Sequence, residues 1–150
     1  MQKITPFIWF DDQAEDAMRL YVSVFRNSKI VGEVRVNGRF HSGTVDLDGL
    51  RLHCFNGGPH FVLNEAISLM VDCNTQDEVD HLWAALTSNG GQESRCGWLK
   101  DRFGVSWQII PKRLVELLRD PNPGRAQRAT AAMMTMRKID IAELEQAAGP

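Results

Sequence analysis

Apolar and polar residues alternate near the start of the chain and then recur at helical spacing. Residues 3–10 alternate and are rich in aromatic side chains, which predicts a strand. Asp12 is a predicted helix N-cap, because Glu15 follows at the spacing of a capping-box variant. Apolar residues from Ala14 to Phe25 then form one helical stripe. Three more strands are predicted, at residues 30–36, 44–48 and 50–56.

Two dipeptides separate these three strands. Asn37-Gly38 and Asp48-Gly49 are strong signals for two-residue hairpin turns. Side chains of a strand alternate between its two faces, so the last of the three strands has two distinct sides. One face carries Arg51, His53 and Phe55, and the other carries Leu52 and Cys54.

The second half of the chain repeats the order strand, helix, several strands, at a period of ~60 residues. Residues 66–73 alternate as a strand. Thr75 and Glu78 form a capping box in front of a helix that is predicted to stop near Gly90. Further strands are predicted at residues 92–100 and 105–110. This repeated order of elements is the main structural signal in the sequence.

Our interpretation of function depends on residues 96–111, CGWLKDRFGVSWQIIP. Two short apolar runs, 96–100 and 105–110, flank a turn at residues 101–104, which predicts a hairpin. Gln108 is the last residue on the second strand with a polar side chain. If Gln108 faces a ligand, alternation brings Ser106 to the same face and turns Trp107 away from it.

Residues 112–150 are predicted to be a helical tail, in which Asp140 and Glu143 cap the last helix. The tail also carries a basic strip of Arg125, Arg128, Arg137 and Lys138. No aromatic residues are interleaved with the strip for stacking on bases, so a solvated helix face explains it better than a nucleic-acid site. No linker divides the chain, and residues 1–150 are expected to form a single domain.

Composition places this 150-residue chain among ordinary globular proteins. A net charge of −2 gives no general attraction to nucleic acid or to an anionic membrane. No apolar run approaches bilayer length and no secretory signal is evident, so the expected location is the cytoplasm. The three cysteines, Cys54, Cys73 and Cys96, lack paired spacing, which argues against a disulfide framework and a structural zinc site.

Five segments of the chain resemble those of the vicinal oxygen chelate superfamily, which includes glyoxalase I, extradiol dioxygenases and bleomycin-resistance proteins. They are residues 4–10, 64–68, 96–101, 103–108 and 138–141. The stronger resemblance is to its PhnB-like branch, often labelled 3-demethylubiquinone-9 3-methyltransferase. It implies an α+β fold of two βαβββ modules forming a curved mixed sheet around a cup, with a helical tail. Module one would span about residues 1–60, module two about 61–111 and the tail 112–150.

Metalloenzymes of this superfamily hold a divalent ion with His and Glu side chains from both modules. The resemblance places the four ligand positions at Thr5, at Leu52 or His53, at Ala66 and at Gln108. Transition metals need several imidazole, carboxylate or thiolate donors, which this set does not supply. We therefore expect no metal, and glyoxalase or dioxygenase chemistry is not expected.

Methyl transfer from S-adenosylmethionine usually uses a Gly-rich loop between a strand and a helix. The candidate here, Gly57-Gly58-Pro59, leads into His60-Phe61 and not into a capped helix. Methyltransferase activity is therefore not expected, and no cofactor is predicted.

The cup is predicted to have an aromatic lining with a few hydroxyl and amide groups, as is usual for small-molecule sites. The predicted ligand-binding residues are Thr5, Phe7, Trp9, His53, Phe55, Ser68, Met70, Trp98 and Gln108. The alternative is that the aromatic residues fill a closed core. For Phe7 and Met70 the two interpretations are evenly balanced. Trp9 and Trp98 favour the pocket, because a buried indole N–H needs a partner.

Cys96, His53 and Glu65 are candidate catalytic residues. For each, a structural role is the stronger interpretation: a small buried thiol, a hydrogen-bonded imidazole and a carboxylate paired with a nearby donor.

Two function classes remain open. The first is a protein that binds a small aromatic or amphipathic molecule without a metal. The second is a metal-independent enzyme that acts through Cys96, His53 or Glu65. A homodimer is expected from the resemblance and from the uncovered sheet edges, and neither a nucleic acid nor a membrane is an expected partner.

Overall fold

The computed structural model describes residues 2–150. The chain separates into two compact units, residues 1–63 and residues 64–150.

Unit 1 contains one helix and a four-stranded sheet. Its elements are β1 (Phe7–Phe10), α1 (Ala14–Val24), β2 (Ser28–Val36), β3 (Arg39–Leu47) and β4 (Leu50–Asn56). The strands lie in the order β1-β4-β3-β2. The β1–β4 pair is parallel and the other pairs are antiparallel, so the sheet is mixed. The first and last strands of the unit are therefore neighbours.

Helix α1 packs on one face of this sheet and forms the core of unit 1. Ala17, Met18 and Tyr21 of the helix are fully buried, as are Val45 and Leu52 of the strands. The helix meets both β3 and β4. Burial of these side chains supplies most of the stabilisation of the unit and leaves the opposite face of the sheet free of helix.

Both predicted hairpin turns of unit 1 are confirmed. Asn37 and Gly38 have φ values of 52° and 78°, and Asp48 and Gly49 have φ values of 50° and 94°. Two successive positive φ values are the signature of a type I′ turn, whose twist matches that of the strands it joins.

The start of unit 1 differs from the prediction in two ways. Strand β1 begins at Phe7 and not at residue 3. The predicted capping box of Asp12 and Glu15 is wrong, because Gln13 occupies the N-cap position without a side-chain cap. Asn56 supplies the missing acceptor from β4, since its Oδ1 accepts the N–H of Ala14 at 2.8 Å. Glu15 instead pairs with two arginines of the same unit.

Unit 2 repeats the strand order of unit 1, with much shorter strands in the middle of the unit. Its first elements are β5 (Ser68–Cys73), α2 (Gln76–Thr87), β6 (Gln92–Glu93), β7 (Trp98–Lys100) and β8 (Ser106–Pro111). The order in the sheet is β5-β8-β7-β6, with β5 and β8 parallel. The predicted capping box is confirmed: Thr75 Oγ1 accepts the N–H of Glu78 at 3.2 Å, and Glu78 Oε2 accepts the N–H of Asn74 at 2.7 Å.

The single strand predicted for residues 92–100 is interrupted. Cys96 and Gly97 have φ values of 56° and 83°, which a strand cannot accommodate. Their N–H groups donate to the carbonyl oxygens of Met136 and Arg137 in the tail, at 2.9 and 2.8 Å. A Cβ at position 97 would lie 2.9 Å from the carbonyl oxygen of Ile109. The backbone at Cys96 and Gly97 therefore forms hydrogen bonds with the tail instead of continuing the sheet.

The tail forms three helices, α3 (Lys112–Leu118), α4 (Pro123–Met133) and α5 (Ile141–Ala148). Asp140 caps α5 as predicted. Their apolar residues form a cluster that includes Leu117, Ile139 and Leu144. Two arginines of the predicted solvated strip have partners in the tail: Arg125, which is half-buried, and Arg128, which is exposed, donate to the carbonyl oxygens of Gly149 and Ala148 at the end of α5.

The predicted α+β class and the two βαβββ modules are confirmed. Each module has its own four-stranded mixed sheet with a helix on one face. None of the helices in residues 2–150 combines the length and apolar character that crossing a membrane requires.

Candidate functional site

The face of the unit 1 sheet opposite α1 carries most of the aromatic side chains of that unit. Phe7 of β1 is the register partner of His53, and Trp9 is the partner of Phe55. Thr44 of β3 lies on the other side of His53. Register partners point to the same face of a sheet, so these five side chains form one surface.

The aromatic rings of this surface are in direct contact. The ring centroids of Phe7 and Phe55 are 5.5 Å apart, those of Trp9 and Phe55 are 5.1 Å apart, and those of Trp9 and Phe61 are 4.9 Å apart. The Trp9 contacts have interplanar angles of 78°, the edge-to-face geometry that aromatic pairs prefer. Trp9 Nε1 donates to the carbonyl oxygen of Gly58 at 2.9 Å. This hydrogen bond and the two ring contacts hold the indole of Trp9 against Phe55 and Phe61.

An open hollow of about 440 Å³ lies on this surface, lined by Thr5, Phe7, Thr44, Arg51 and His53. Phe7 is 60% exposed, so it does not fill a closed core. His53 Nδ1 and Thr44 Oγ1 are 2.9 Å apart and share a hydrogen bond. The hollow combines one aromatic ring, an imidazole, two hydroxyl groups and a guanidinium.

The corresponding face of the unit 2 sheet is more polar. Register places Ser68 beside Ser106, and Met70 beside Gln108. Gln108 is also the partner of Trp98 on β7. Gln108 Nε2 donates to Ser68 Oγ at 2.9 Å. Met70 is 59% exposed, so the closed-core interpretation is wrong for this residue as well.

Ser106 on the same face is buried, yet within residues 2–150 its hydroxyl oxygen has no hydrogen-bond partner. A buried hydroxyl without a partner loses its hydration on folding and gains nothing in return. The sequence placed Ser106 on this face by alternation but gave no sign that the group is unsatisfied.

Ser106→Ala is therefore expected to stabilise the protein by about 1 kcal/mol, because the variant no longer buries an unsatisfied hydroxyl. Urea denaturation monitored by circular dichroism measures the change. The matched control is Ser68→Ala, which removes the acceptor of Gln108 and should destabilise by about 1 kcal/mol. A destabilised Ser106→Ala variant would show that the hydroxyl has a partner in solution.

The nine predicted ligand-binding residues fall into two groups, one in each unit. Those in unit 1 are Thr5, Phe7, Trp9, His53 and Phe55, of which Thr5 precedes β1. Those in unit 2 are Ser68, Met70, Trp98 and Gln108. Sequence reasoning omitted Thr44, Arg51 and Phe61 from the site. Alternation along β4 already put Arg51 on the face of His53, and hairpin pairing would have added Thr44.

Two of the candidate catalytic residues, Cys96 and Glu65, make contacts that indicate a structural role. Cys96 lies at the bend before β7, where its thiol contacts the sulfur of Met134 at 3.9 Å. Glu65 pairs with Lys100, and the hydrogen bond from that ammonium group lowers the pKa of the carboxyl. A lowered pKa makes Glu65 a weaker general base. His53 alone of the three lines the hollow.

The other two thiols are poor nucleophiles. Burial raises the pKa of both Cys54 and Cys73 to about 12, so their reactive thiolate forms are scarce near neutral pH. Both lie on the helix-facing sides of their sheets and are fully buried.

The donors at the superfamily's metal positions do not suit a transition metal. Gln108 is a neutral amide already bonded to Ser68, Leu52 is buried and apolar, and His53 is bonded to Thr44. Across residues 2–150, no three His, Cys, Asp or Glu side chains are close enough to share an ion. The expectation that this chain works without a metal rests on this donor chemistry.

The Gly57-Gly58 segment supports the aromatic face. The N–H groups of Gly57 and Gly58 donate to the carbonyl oxygens of Phe10 and Asp11, at 2.9 and 3.0 Å. A Cβ at position 57 would overlap the indole of Trp9 and lie 2.6 Å from Cε1 of Phe55. Glycine is therefore needed here so that the two rings can approach the backbone.

Comparison with known proteins agrees with this architecture. Residues 2–110 match the model of the family described as 3-demethylubiquinone-9 3-methyltransferase. No functionally curated protein matches the chain. Among solved structures, the PhnB protein from Bacillus cereus is 32% identical, with a TM-score of 0.69 over 73% of this chain and 99% of that one.

Two more distant structures share the fold. Protein PA1353 from Pseudomonas aeruginosa is 16% identical, with a TM-score of 0.60 over 74% of this chain and 98% of that one. The fosfomycin resistance protein FosX from Listeria monocytogenes is 11% identical, with a TM-score of 0.53 over 74% of this chain and 93% of that one. The chain therefore belongs to the family described as 3-demethylubiquinone-9 3-methyltransferase, which its 32% identity to the PhnB protein also supports.

Proposed function

We propose that this protein binds a small, flat organic molecule on the aromatic face of unit 1, without a metal ion. The observation that carries the proposal is the exposed ring of Phe7 beside an open hollow. Large aromatic side chains are normally covered, and an ordered, uncovered group of them marks a binding surface.

The ordering of the face favours binding over incidental exposure. Phe7 contacts His53 at a ring-centroid distance of 4.9 Å, and the indole of Trp9 is fixed by its bond to Gly58. A rigid surface loses little conformational entropy when a ligand binds, so more of the contact energy appears as affinity. A flat ligand could cover Phe7 and take hydrogen bonds from the polar rim.

Methyl transfer, which the family description suggests, has little support in the residues. The connections from β1 to α1 and from β5 to α2, residues 11–13 and 74–75, contain no glycine. They therefore lack the close backbone approach by which Gly-rich loops bind nucleotide-like cofactors. The metal-independent enzyme is the second candidate, and its best group is His53, bonded to Thr44 inside the hollow. The homodimer stays a prediction.

The test is a titration with 2-naphthol, a neutral flat probe, in which NMR records the changes in the amide chemical shifts. Saturable binding is expected, with shifts concentrated on β1 and β4. Phe7→Ala should weaken binding about three- to tenfold, because one aromatic contact is lost.

Val36→Ala is the matched control, since Val36 is 52% exposed on β2 of the same sheet and does not line the hollow. This variant should bind 2-naphthol as the unmodified protein does. Absence of saturable binding, or equal affinity in Phe7→Ala, would refute the proposal.

A further inference from the structure

We propose that the hollow of unit 1 selects aromatic carboxylates, with Arg51 as the partner of the anionic group and His53 as a second donor. This inference rests on the proposed function and specifies the chemical class of its ligand. It follows from the position of one guanidinium beside an aromatic surface.

Arg51 is held at the edge of the hollow by its backbone and not by its side chain. The side-chain amide of Gln2 donates to the Arg51 carbonyl oxygen, and its oxygen accepts the Arg51 N–H, both at 3.0 Å. The Arg51 side chain is 54% exposed. A fixed backbone with an accessible guanidinium suits the capture of a small anion.

The acidic neighbour of Arg51 does not saturate it. Asp46 is the register partner of Arg51 on β3. The distance from Arg51 Nε to Asp46 Oδ2 is 3.8 Å, too long for a hydrogen bond. Asp46 Oδ1 is occupied by the N–H of Gly49 at 2.8 Å. The guanidinium therefore keeps donors for an incoming carboxylate, which a planar fork binds through two parallel hydrogen bonds.

His53 lies two residues from Arg51 on the same face of β4 and supplies the second donor. Its Nδ1 shares a hydrogen bond with Thr44 Oγ1. When the Thr44 hydroxyl donates to Nδ1, the proton of the neutral imidazole resides on Nε2. Within residues 2–150, Nε2 has no hydrogen-bond partner. A carboxylate in the hollow favours this tautomer because Nε2–H can donate to it.

The charge of the lining selects anions over cations. Of the five lining residues, Arg51 carries a full positive charge and none carries a negative one. The nearest carboxylate that contacts Arg51 is that of Asp46, which does not line the hollow. Phe7, which lines the same hollow as Arg51, offers a flat apolar contact for a ring attached to the carboxylate. The combination distinguishes an aromatic acid from both an aliphatic acid and a neutral aromatic.

The experiment compares 2-naphthoate with its neutral isostere 2-naphthamide by isothermal titration calorimetry. The unmodified protein should bind the carboxylate about tenfold more tightly, the size expected for a charge-assisted bond at a half-exposed site. Arg51→Gln should lose this preference while its affinity for 2-naphthamide stays within about twofold. Raising the ionic strength should weaken the binding of 2-naphthoate and leave the binding of 2-naphthamide unchanged.

Arg39→Gln is the matched control, because Arg39 is an exposed arginine on β3 of the same sheet and does not line the hollow. It should keep the full preference. Arg51→Lys, which retains the positive charge, should keep a preference for the carboxylate and serves as a second test if the Gln variant folds poorly.

The outcomes separate this inference from the proposed function. If 2-naphthamide binds but the carboxylate binds no better, or if Arg51→Gln keeps the preference, the carboxylate assignment is refuted and aromatic binding stands. If neither naphthalene compound nor 2-naphthol binds, the proposed function fails and the carboxylate assignment fails with it.

Discussion

Asp101→Ala is expected to lower the free energy of unfolding by about 3–5 kcal/mol. Asp101 is buried at the turn between β7 and β8. Its Oδ1 accepts the N–H groups of Phe103 and Val105 at 2.9 and 3.0 Å, and its Oδ2 accepts Trp107 Nε1 at 2.9 Å. Alanine leaves these three donors without this acceptor in a site that water reaches poorly.

Urea denaturation of the full chain measures this loss. Asp101→Asn should cost less, because its remaining oxygen can still accept from Phe103 and Val105. Asp12→Ala is the control: Asp12 is exposed and does not cap α1, so its removal should change stability by less than about 0.5 kcal/mol. A loss below about 1 kcal/mol in Asp101→Ala would contradict the role of this carboxylate as the organiser of the turn.

Gly57→Ala is expected to destabilise the protein by about 2–3 kcal/mol and to disorder the aromatic face. The added Cβ would overlap the indole of Trp9 and crowd Phe55. Trp9 would then have to leave the position in which Nε1 donates to Gly58. Loss of the indole N–H resonance of Trp9 in amide spectra reports the displacement, and thermal denaturation reports the cost.

Gly32→Ala is the matched control for this substitution. Gly32 lies in β2 of the same unit, and a Cβ there would have no atom within 4 Å. Its stability should stay within about 0.5 kcal/mol of the unmodified protein, with Trp9 undisturbed. An unchanged Trp9 resonance in Gly57→Ala would show that the ring does not pack on the backbone at this position.

Local signals in the sequence predicted most of the fold correctly. The capping residues Thr75 and Asp140 and the turns at Asn37-Gly38 and Asp48-Gly49 each depend on a few neighbouring residues. A side chain that bonds to a backbone group three residues away, or a dipeptide with positive φ, can be recognised without knowing the rest of the chain. These elements therefore appeared where they were predicted.

The wrong predictions share a dependence on distant residues. Asp12 has the composition of a cap, but Asn56 from the far end of unit 1 supplies the acceptor for Ala14. Residues 92–100 have the pattern of a strand, but carbonyl oxygens of Met136 and Arg137 draw the backbone at Cys96 and Gly97 out of the sheet. A contact across so many residues leaves no trace in a local pattern, so sequence reasoning alone could not locate it.

Sequence patterns predicted which side chains of the candidate site share a face of the sheet, but not the hydrogen bonds that hold them in place. Alternation correctly grouped Phe7 with Trp9, and His53 with Phe55, because strand geometry allows two faces only. The bond from Trp9 to Gly58 and the clamp formed by Gln2 on Arg51 depend on the path of loops. Asp101 was overlooked although an aspartate at the start of a Gly-containing turn is a known signal for side-chain bonding to the turn backbone.

The parallel pairing of β1 with β4 has a consequence for folding and for partial opening of the sheet. The pairing of Phe7 with His53 joins the first and last strands of unit 1, so it closes a long loop. Long-range closures form late, and an edge strand such as β1 is among the first to detach in a partial opening. An aromatic ligand that lies across the faces of β1 and β4 would hold the two strands together while it is bound. Occupancy would then protect the first residues of the chain from proteases without altering its global fold.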